Sequence, residues 1–237
     1  HLLAEETVRL HFNVLLVRLK EGWVMIDSGC GPVFGPAGGR LAGHLRAAGI
    51  PPEQIHAIVI SHLHGDHFGG LLDADRKPVF PNARLFLHRN EHAFWSQPSP
   101  RGVDEQTLRG VQFYLNAFKD QWQLVAGGDK LFDHLELLDA PGHTPGHFMV
   151  MVHSGRDQVL HWVDALHHHA LSVTHPEWKL VWDVDPTLAI ETRQRVLDRA
   201  AADRLRIFGG HMPFPGLGAV RRRGAGFEYL IEPWIST

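Results

Sequence analysis

The chain has one cysteine in 237 residues, Cys30, which excludes an internal disulfide and any thiolate cluster around a metal. No stretch approaches the roughly 18 apolar residues that a membrane-spanning helix needs. Internal repeats, low-complexity tracts and Gly/Ser linkers long enough to divide two domains are also missing. Nor is there an excess of positive charge: 23 Lys and Arg face 26 Asp and Glu, a net charge of −3 that argues against a nucleic-acid binder. The one basic run, Arg221-Arg222-Arg223, reads as a solvated turn. A hydrophobic fraction of 44% with so little net charge excludes disorder as the main state. Histidine, by contrast, is abundant at 19 residues, and it is the commonest metal ligand and the natural acid–base group near neutral pH.

The length suits one domain spanning 1–237 with a sizeable core. Because the first residue is His1 and not a methionine, a signal peptide is neither read nor excluded. Location stays open between the cytoplasm and, if a leader was removed, the periplasm or the exterior.

Apolar patterning predicts strands over 14–19 and 23–26, with a short turn at Glu21-Gly22, and a helix over 39–48 stopped by Gly49. A buried strand over 55–60 runs directly into Ser61-His62-Leu63-His64-Gly65-Asp66-His67. Further strands are expected over 83–87, 135–138, 148–152, 159–163, 206–208 and 227–231. Helices are expected over 104–118 and over 186–202, the latter opened by Pro186 at a first-turn position that proline tolerates. Short strands with helices between them imply an α/β sandwich.

The segment HLHGDH, residues 62–67, carries the strongest chemical signal. His62 and His64, two residues apart at a strand end, can converge on one ion, while Asp66 and His67 can point to a second. Gly65 is expected to permit the tight reversal. Oxygen and nitrogen donors without thiolate suit zinc, and also manganese, iron or cobalt. Other ligand candidates stand where strands give way to loops: His143 in a Gly/Pro-rich turn, Asp164 at the end of the 159–163 strand, and His211 after Gly209-Gly210.

Taken together, HLHGDH, GHTPGH, VDALHH and GGHMPFPG resemble the metallo-β-lactamase-fold hydrolase superfamily, from about His11 to the C-terminus. The first hairpin usual there looks short or absent, as a trimmed start would leave it. The resemblance implies a four-layer αββα metallo-β-lactamase sandwich with two divalent ions, zinc above all, at the sheet edge. It implies one ion on His62, His64 and His143, a second on Asp66, His67 and His211, and Asp164 bridging both. Classical β-lactamases usually have cysteine or serine where Asp164 stands, and diiron flavoproteins have glutamate where His64 stands, so neither branch is favoured. The nucleases carry a further domain or exosite that is not seen here.

The chain looks closest to acyl-homoserine lactone lactonases and to methyl-parathion-hydrolase-like enzymes; the tail from His211 to Gly218 and Trp182-Asp183-Val184-Asp185 resemble the latter. The expected activity is hydrolysis of a lactone or small ester by a hydroxide shared between two ions, since metal binding lowers the pKa of water from about 15.7 toward 7. Phosphotriester hydrolysis is the alternative. Further alternatives are a glyoxalase II-like thioesterase, for which no basic clamp follows His211, and a mononuclear iron persulfide dioxygenase, with a non-catalytic binding module last. Asp66 is the candidate proton shuttle. His167 stands where the lactonases have a substrate-binding tyrosine, three residues after the bridging aspartate, and is the candidate donor to substrate. Phe34, Phe94, Trp95 and Phe214, read as lying in loops near the ligands, are candidate pocket residues. The partner expected is a small-molecule substrate, with neither nucleic acid nor membrane, and a homodimer is left open.

Overall fold

The computed structural model describes residues 7–234, so the first six and last three positions of the expected 1–237 domain lie outside the described residues. The first of two sheets contains β1 (Leu15–Leu19), β2 (Gly22–Ile26), β3 (Ile55–Ile60), β4 (Arg84–His88) and β5 (Trp122–Val125), in that spatial order. β1 and β2 form an antiparallel hairpin with Leu15 opposite Ile26, whereas β2 to β5 run parallel. Parallel neighbours require crossovers. These hold α1 (Leu41–Ala47), α2 (Gly65–Phe68), α3 (Arg89–Trp95) and α4 (Glu105–Ala117). Asp104 caps α4 by accepting the Gln106 and Thr107 N–H groups.

The second sheet contains β6 (Lys130–Leu131), β7 (Leu135–Asp139), β8 (Phe148–Ser154), β9 (Asp157–His161), β10 (Arg206–Phe208), β11 (Leu217–Arg223) and β12 (Gly226–Ile231). Its spatial order runs from β12 down to β6, and every pair is antiparallel except β9 with β10. That parallel pair is bridged by α5 (Pro186–Ala202), capped by Asp185.

Period-two alternation sorts each strand into two faces. Val24, Ile26, Ala57 and Val59 meet Leu137, Phe148 and Val150 between the sheets. Their neighbours Met25, Ile58, Ile60 and Leu87 turn outward onto Trp95 of α3 and Leu108 and Val111 of α4. On the far side, Met149, Met151 and Ile207 pack against Val196, Leu197 and Ala200 of α5. Each fully buried Val, Leu, Ile, Phe or Met among them contributes about 1.5–3 kcal/mol. The layers are therefore helix, sheet, sheet and helix, the αββα arrangement expected. No helix among the described residues is long and apolar enough to cross a membrane.

Four local readings change. Phe94 and Trp95 lie on α3 and not on a loop; its buried face is Glu91, Phe94 and Trp95, and a carboxylate at the first position hides the apolar stripe. β9 stops at His161, so Asp164 sits on a single tight helical turn over Val163–Ala165 and not at a strand end. Arg221–Arg223 belong to β11, where Arg221 and Arg223 pair with Glu228 and Arg222 pairs with Asp198; the turn is Gly224-Ala225. Gly65 has no positive φ; a Cβ there would lie 2.9 Å from Val33 Cγ1, so a larger residue would have to displace that exposed side chain.

Candidate metal centre

The parallel strand β3 ends at Ile60 and delivers His62, His64, Asp66 and His67 on one loop and the first turn of α2. Across the sandwich, His143 comes from the turn before β8, Asp164 from the turn after β9 and His211 from the loop after β10. All seven meet at one edge of the two sheets. Each offers a donor atom to one of two groups, His62, His64, His143 and Asp164 or Asp66, His67 and His211, within which the atoms lie no more than 4.8 Å apart.

In the first group His64 Nδ1 is 3.2 Å from His62 Nε2 and 2.8 Å from His143 Nε2. In the second, Asp66 Oδ2 stands 3.4 Å from both His67 Nε2 and His211 Nε2. Asp164 lies between the groups: Oδ2 is 3.4 Å from His143 Nε2, and Oδ1 is 3.3 Å from His67 Nε2 and 3.2 Å from His211 Nε2.

The outward nitrogens of four of these histidines are tied down, which fixes tautomer and ring orientation. His67 Nδ1–H donates to Asp27 Oδ2 at 2.8 Å, and His143 Nδ1–H donates to Asp183 Oδ1 at 2.9 Å. The His211 Nδ1–H donates to the His11 carbonyl at 2.7 Å. His62 Nδ1 is held by Ser61 Oγ, whose hydroxyl donates in turn to Asp27. The Asp164 turn is braced as well. His147 Nδ1–H donates to the Ala140 carbonyl, leaving Nε2 to accept the Asp164 N–H. Val163, β-branched yet at φ 47°, occupies a region that costs on the order of 1–3 kcal/mol, and His161 Nδ1 holds its N–H.

Burial pushes His62 and His64 well below the ordinary histidine pKa, reinforced by His67 at His62 and by His143 at His64. Burial acts the same way at His67 and His143, but nearby carboxylates outweigh it. Asp164, Asp66 and Asp27 hold His67 well above its usual value, and Asp164 with Asp183 raises His143 to about 9. For Asp164 burial raises the pKa, and His211, His67 and His167 overcome it to leave the carboxyl well below its normal range. Imidazoles held around a carboxylate keep protons that a cation would displace. His67 Nε2 and Asp164 Oδ1 are buried and without a hydrogen-bond partner, an arrangement costing about 1–3 kcal/mol per atom unless something satisfies it. The nitrogen and oxygen donors therefore fit divalent ions.

Above the cluster opens a cavity of about 430 Å³. Of the predicted pocket residues, Phe34, Trp95 and His167 line it. His167 is buried, with Nε2 3.1 Å from Asp164 Oδ2 and neither ring nitrogen hydrogen-bonded; burial, opposed by Asp164, lowers its pKa to about 4. Phe94 does not line the cavity, because α3 turns it into the core beside Trp95. Phe214 faces a different cavity and packs on Trp234. Sequence reading missed Phe12, stacked on Phe34 at 5.8 Å, and Val181 and Trp182, which also line the cavity. It also missed the orienting Asp27 and Asp183, whose partners lie far away in sequence. One usable signal was the adjacent Val181 and Trp182, large apolar residues in a loop, which are 91% and 52% exposed.

A sequence profile described as the metallo-beta-lactamase superfamily matches residues 9–211. An N-acyl homoserine lactonase of Bacillus thuringiensis is 25% identical over 174 residues, covering 73% of this chain and 62% of its own length. Another, from Bacillus sp, is 28% identical over 127 residues, covering 53% and 44%. The chain thus spans 44–62% of the length of these curated relatives. Among solved structures, AidC, described as a dizinc quorum-quenching lactonase in complex with a product, matches with a TM-score of 0.91 at 31% identity, covering 96% of this chain and 81% of that one. The hydrolase AbOPH matches with a TM-score of 0.90 at 27% identity, covering 98% and 83%.

Proposed function

The chain belongs to the metallo-beta-lactamase superfamily, and from that premise we propose that it is a dinuclear metal-dependent hydrolase opening a lactone or cleaving another small neutral ester, of the acyl-homoserine-lactone kind. The observation that carries this reading is the pairing of the two donor groups with the cavity above them, whose described lining contains no Lys or Arg. A glutathione thioester or another carboxylate-bearing substrate would need a cation there. A neutral head with an apolar arm needs none. The relatives named as N-acyl homoserine lactonases support the same substrate class.

Two divalent ions bound to these residues would supply Lewis acidity and a hydroxide at neutral pH. The chain's own side chains do the rest. His167, neutral at pH 7 because burial lowers its pKa, can donate an N–H to the substrate carbonyl. The stacked Phe12 and Phe34, with Val181 and Trp182 in the same lining, would hold the apolar arm away from water. When water's oxygen joins the acyl carbon, water gives up a proton, the ring C–O bond breaks and the released alkoxide takes that proton up. Asp66, lining the cavity beside His67 and His211, is placed to carry that proton.

The test is hydrolysis of homoserine lactones of increasing acyl length beside a chromogenic phosphotriester, using metal-quantified protein and Asp164→Ala as control. Lactone turnover that exceeds phosphotriester turnover and vanishes in the control is the expected result. Phosphotriester turnover alone would replace the substrate class. Two bound ions with neither activity would leave the metal centre standing and sink the lactone reading.

A further inference from the structure

We infer that Glu91 is a positioning residue that clamps together the two loops bearing the ligands His62, His64 and His143 and fixes the cavity wall at Trp95 by the same carboxylate. The inference rests on the dinuclear reading above. Glu91 is fully buried on α3, and no cation pairs with it among the described residues. Its four lone-pair positions are filled by four donors from three elements. Oε1 accepts the Leu63 N–H at 2.9 Å and the Trp95 indole N–H at 2.7 Å. Oε2 accepts the Thr144 hydroxyl at 2.7 Å and the Gly146 N–H at 2.9 Å.

Those donors are specific in what they carry. Leu63 lies between His62 and His64, so holding its N–H fixes the backbone from which both imidazoles project. Thr144 and Gly146 follow His143 in the facing loop and precede His147, the brace of Asp164. Trp95 lines the cavity with its ring centroid 6.1 Å from that of His64. The contact between loop and helix is close: a Cβ at Gly146 would come within 2.6 Å of Glu91 Cα. A buried carboxylate is costly unless every acceptor position is used, and here three of the four compensating donors belong to the ligand-bearing loops and the fourth to the cavity wall. An apolar side chain could fill the same space but would leave four donors unpaired and the two loops unlinked.

Three variants test this: Glu91→Gln, Thr144→Val and Trp95→Phe, each compared with the parent for folding by circular dichroism, for metal affinity by competition with a chelating indicator, and for the absorption bands of the cobalt(II)-loaded form. Glu91→Gln keeps one acceptor but presents an amide N–H to the remaining donors. The expected result is a folded protein whose ions bind roughly 10–100-fold more weakly, with shifted cobalt bands. Thr144→Val should move both readouts in the same direction by less. Trp95→Phe removes one of the four donors to Glu91 and alters the cavity wall, so it should weaken affinity by less than Glu91→Gln does and also raise KM. Parental affinity and parental bands in folded Glu91→Gln overturn the inference. Should that variant not fold, parental values in Thr144→Val overturn it. A parent chain that binds no ions sinks the dinuclear reading itself, whereas two ions held equally well by parent and variants sink only the role of Glu91.

Discussion

From the first sheet come His62, His64, Asp66 and His67, four ligand-type side chains within six residues after one parallel strand; from the second come His143, Asp164 and His211, one from each of three separate turns. Their bracing differs in the same way. In the first set Asp27 orients two imidazoles, accepting from His67 directly and reaching His62 through Ser61, while Glu91 holds the backbone at Leu63. In the second set each residue has its own support: Asp183 for His143, the His11 carbonyl for His211, and His147 for the Asp164 backbone. Asp183 is itself held by Arg193, whose guanidinium lies 3.3 Å away and also donates to the Ala165 and Pro176 carbonyls. Imidazoles that share one carboxylate are disturbed together, while dispersed ligands with private partners are disturbed one at a time.

The largest effect should come from the residue on which the two sets converge. Asp164→Asn removes the charge shared by His67, His143 and His211. It should lower kcat/KM by roughly 10³-fold, the equivalent of about 4 kcal/mol of transition-state stabilisation, with metal content falling in elemental analysis. Retention of both ions and of activity would end the idea of a shared centre.

Next in size, Asp27→Asn should weaken metal binding about 100-fold, affecting both ions because it loosens His62 and His67, whereas Asp183→Asn should cost about 10-fold at one ion only. Competitive titration resolves the two affinities, and equal losses in the two variants would erase the distinction between shared and private bracing. Asparagine can keep the φ of 65° at position 27, so the variant tests the carboxylate and not the backbone.

The smallest effects concern the cavity. Trp182→Ala should raise KM for long-chain lactones roughly tenfold, about 1.4 kcal/mol of lost contact, and leave short-chain substrates nearly unchanged. Phe214→Ala, on a different cavity, should leave both kinetic constants at the parental level. A matching loss in the two variants would show that the substrate arm runs beyond the Val181–Trp182 wall.

The contiguous half of the centre was legible because HLHGDH follows a continuous apolar strand, so both the chemistry and its placement at a strand end lie in one stretch of chain. His143, Asp164 and His211 could be picked out as residues at strand ends, but their assignment to particular ions came only through resemblance. The helix carrying Phe94 and Trp95 escaped notice because Glu91 occupies the position where an apolar residue would have completed its stripe. β11 escaped because Arg221–Arg223 look like a solvent-facing turn until Glu228 and Asp198 are seen opposite them.

Periodicity and ligand spacing, then, are local properties, and the sequence by itself determined what is local: the strand and helix alternation, the αββα class by resemblance, and the donor types available to a metal. Tertiary structure decided which buried polar groups face one another. Asp27 reaches His67, Asp183 reaches His143, and Glu91 joins Leu63 to Thr144 and Gly146 across the sandwich. A buried carboxylate is stable only where enough donors converge on it, and such convergence depends on the packing of distant segments, which leaves no period in the chain to read.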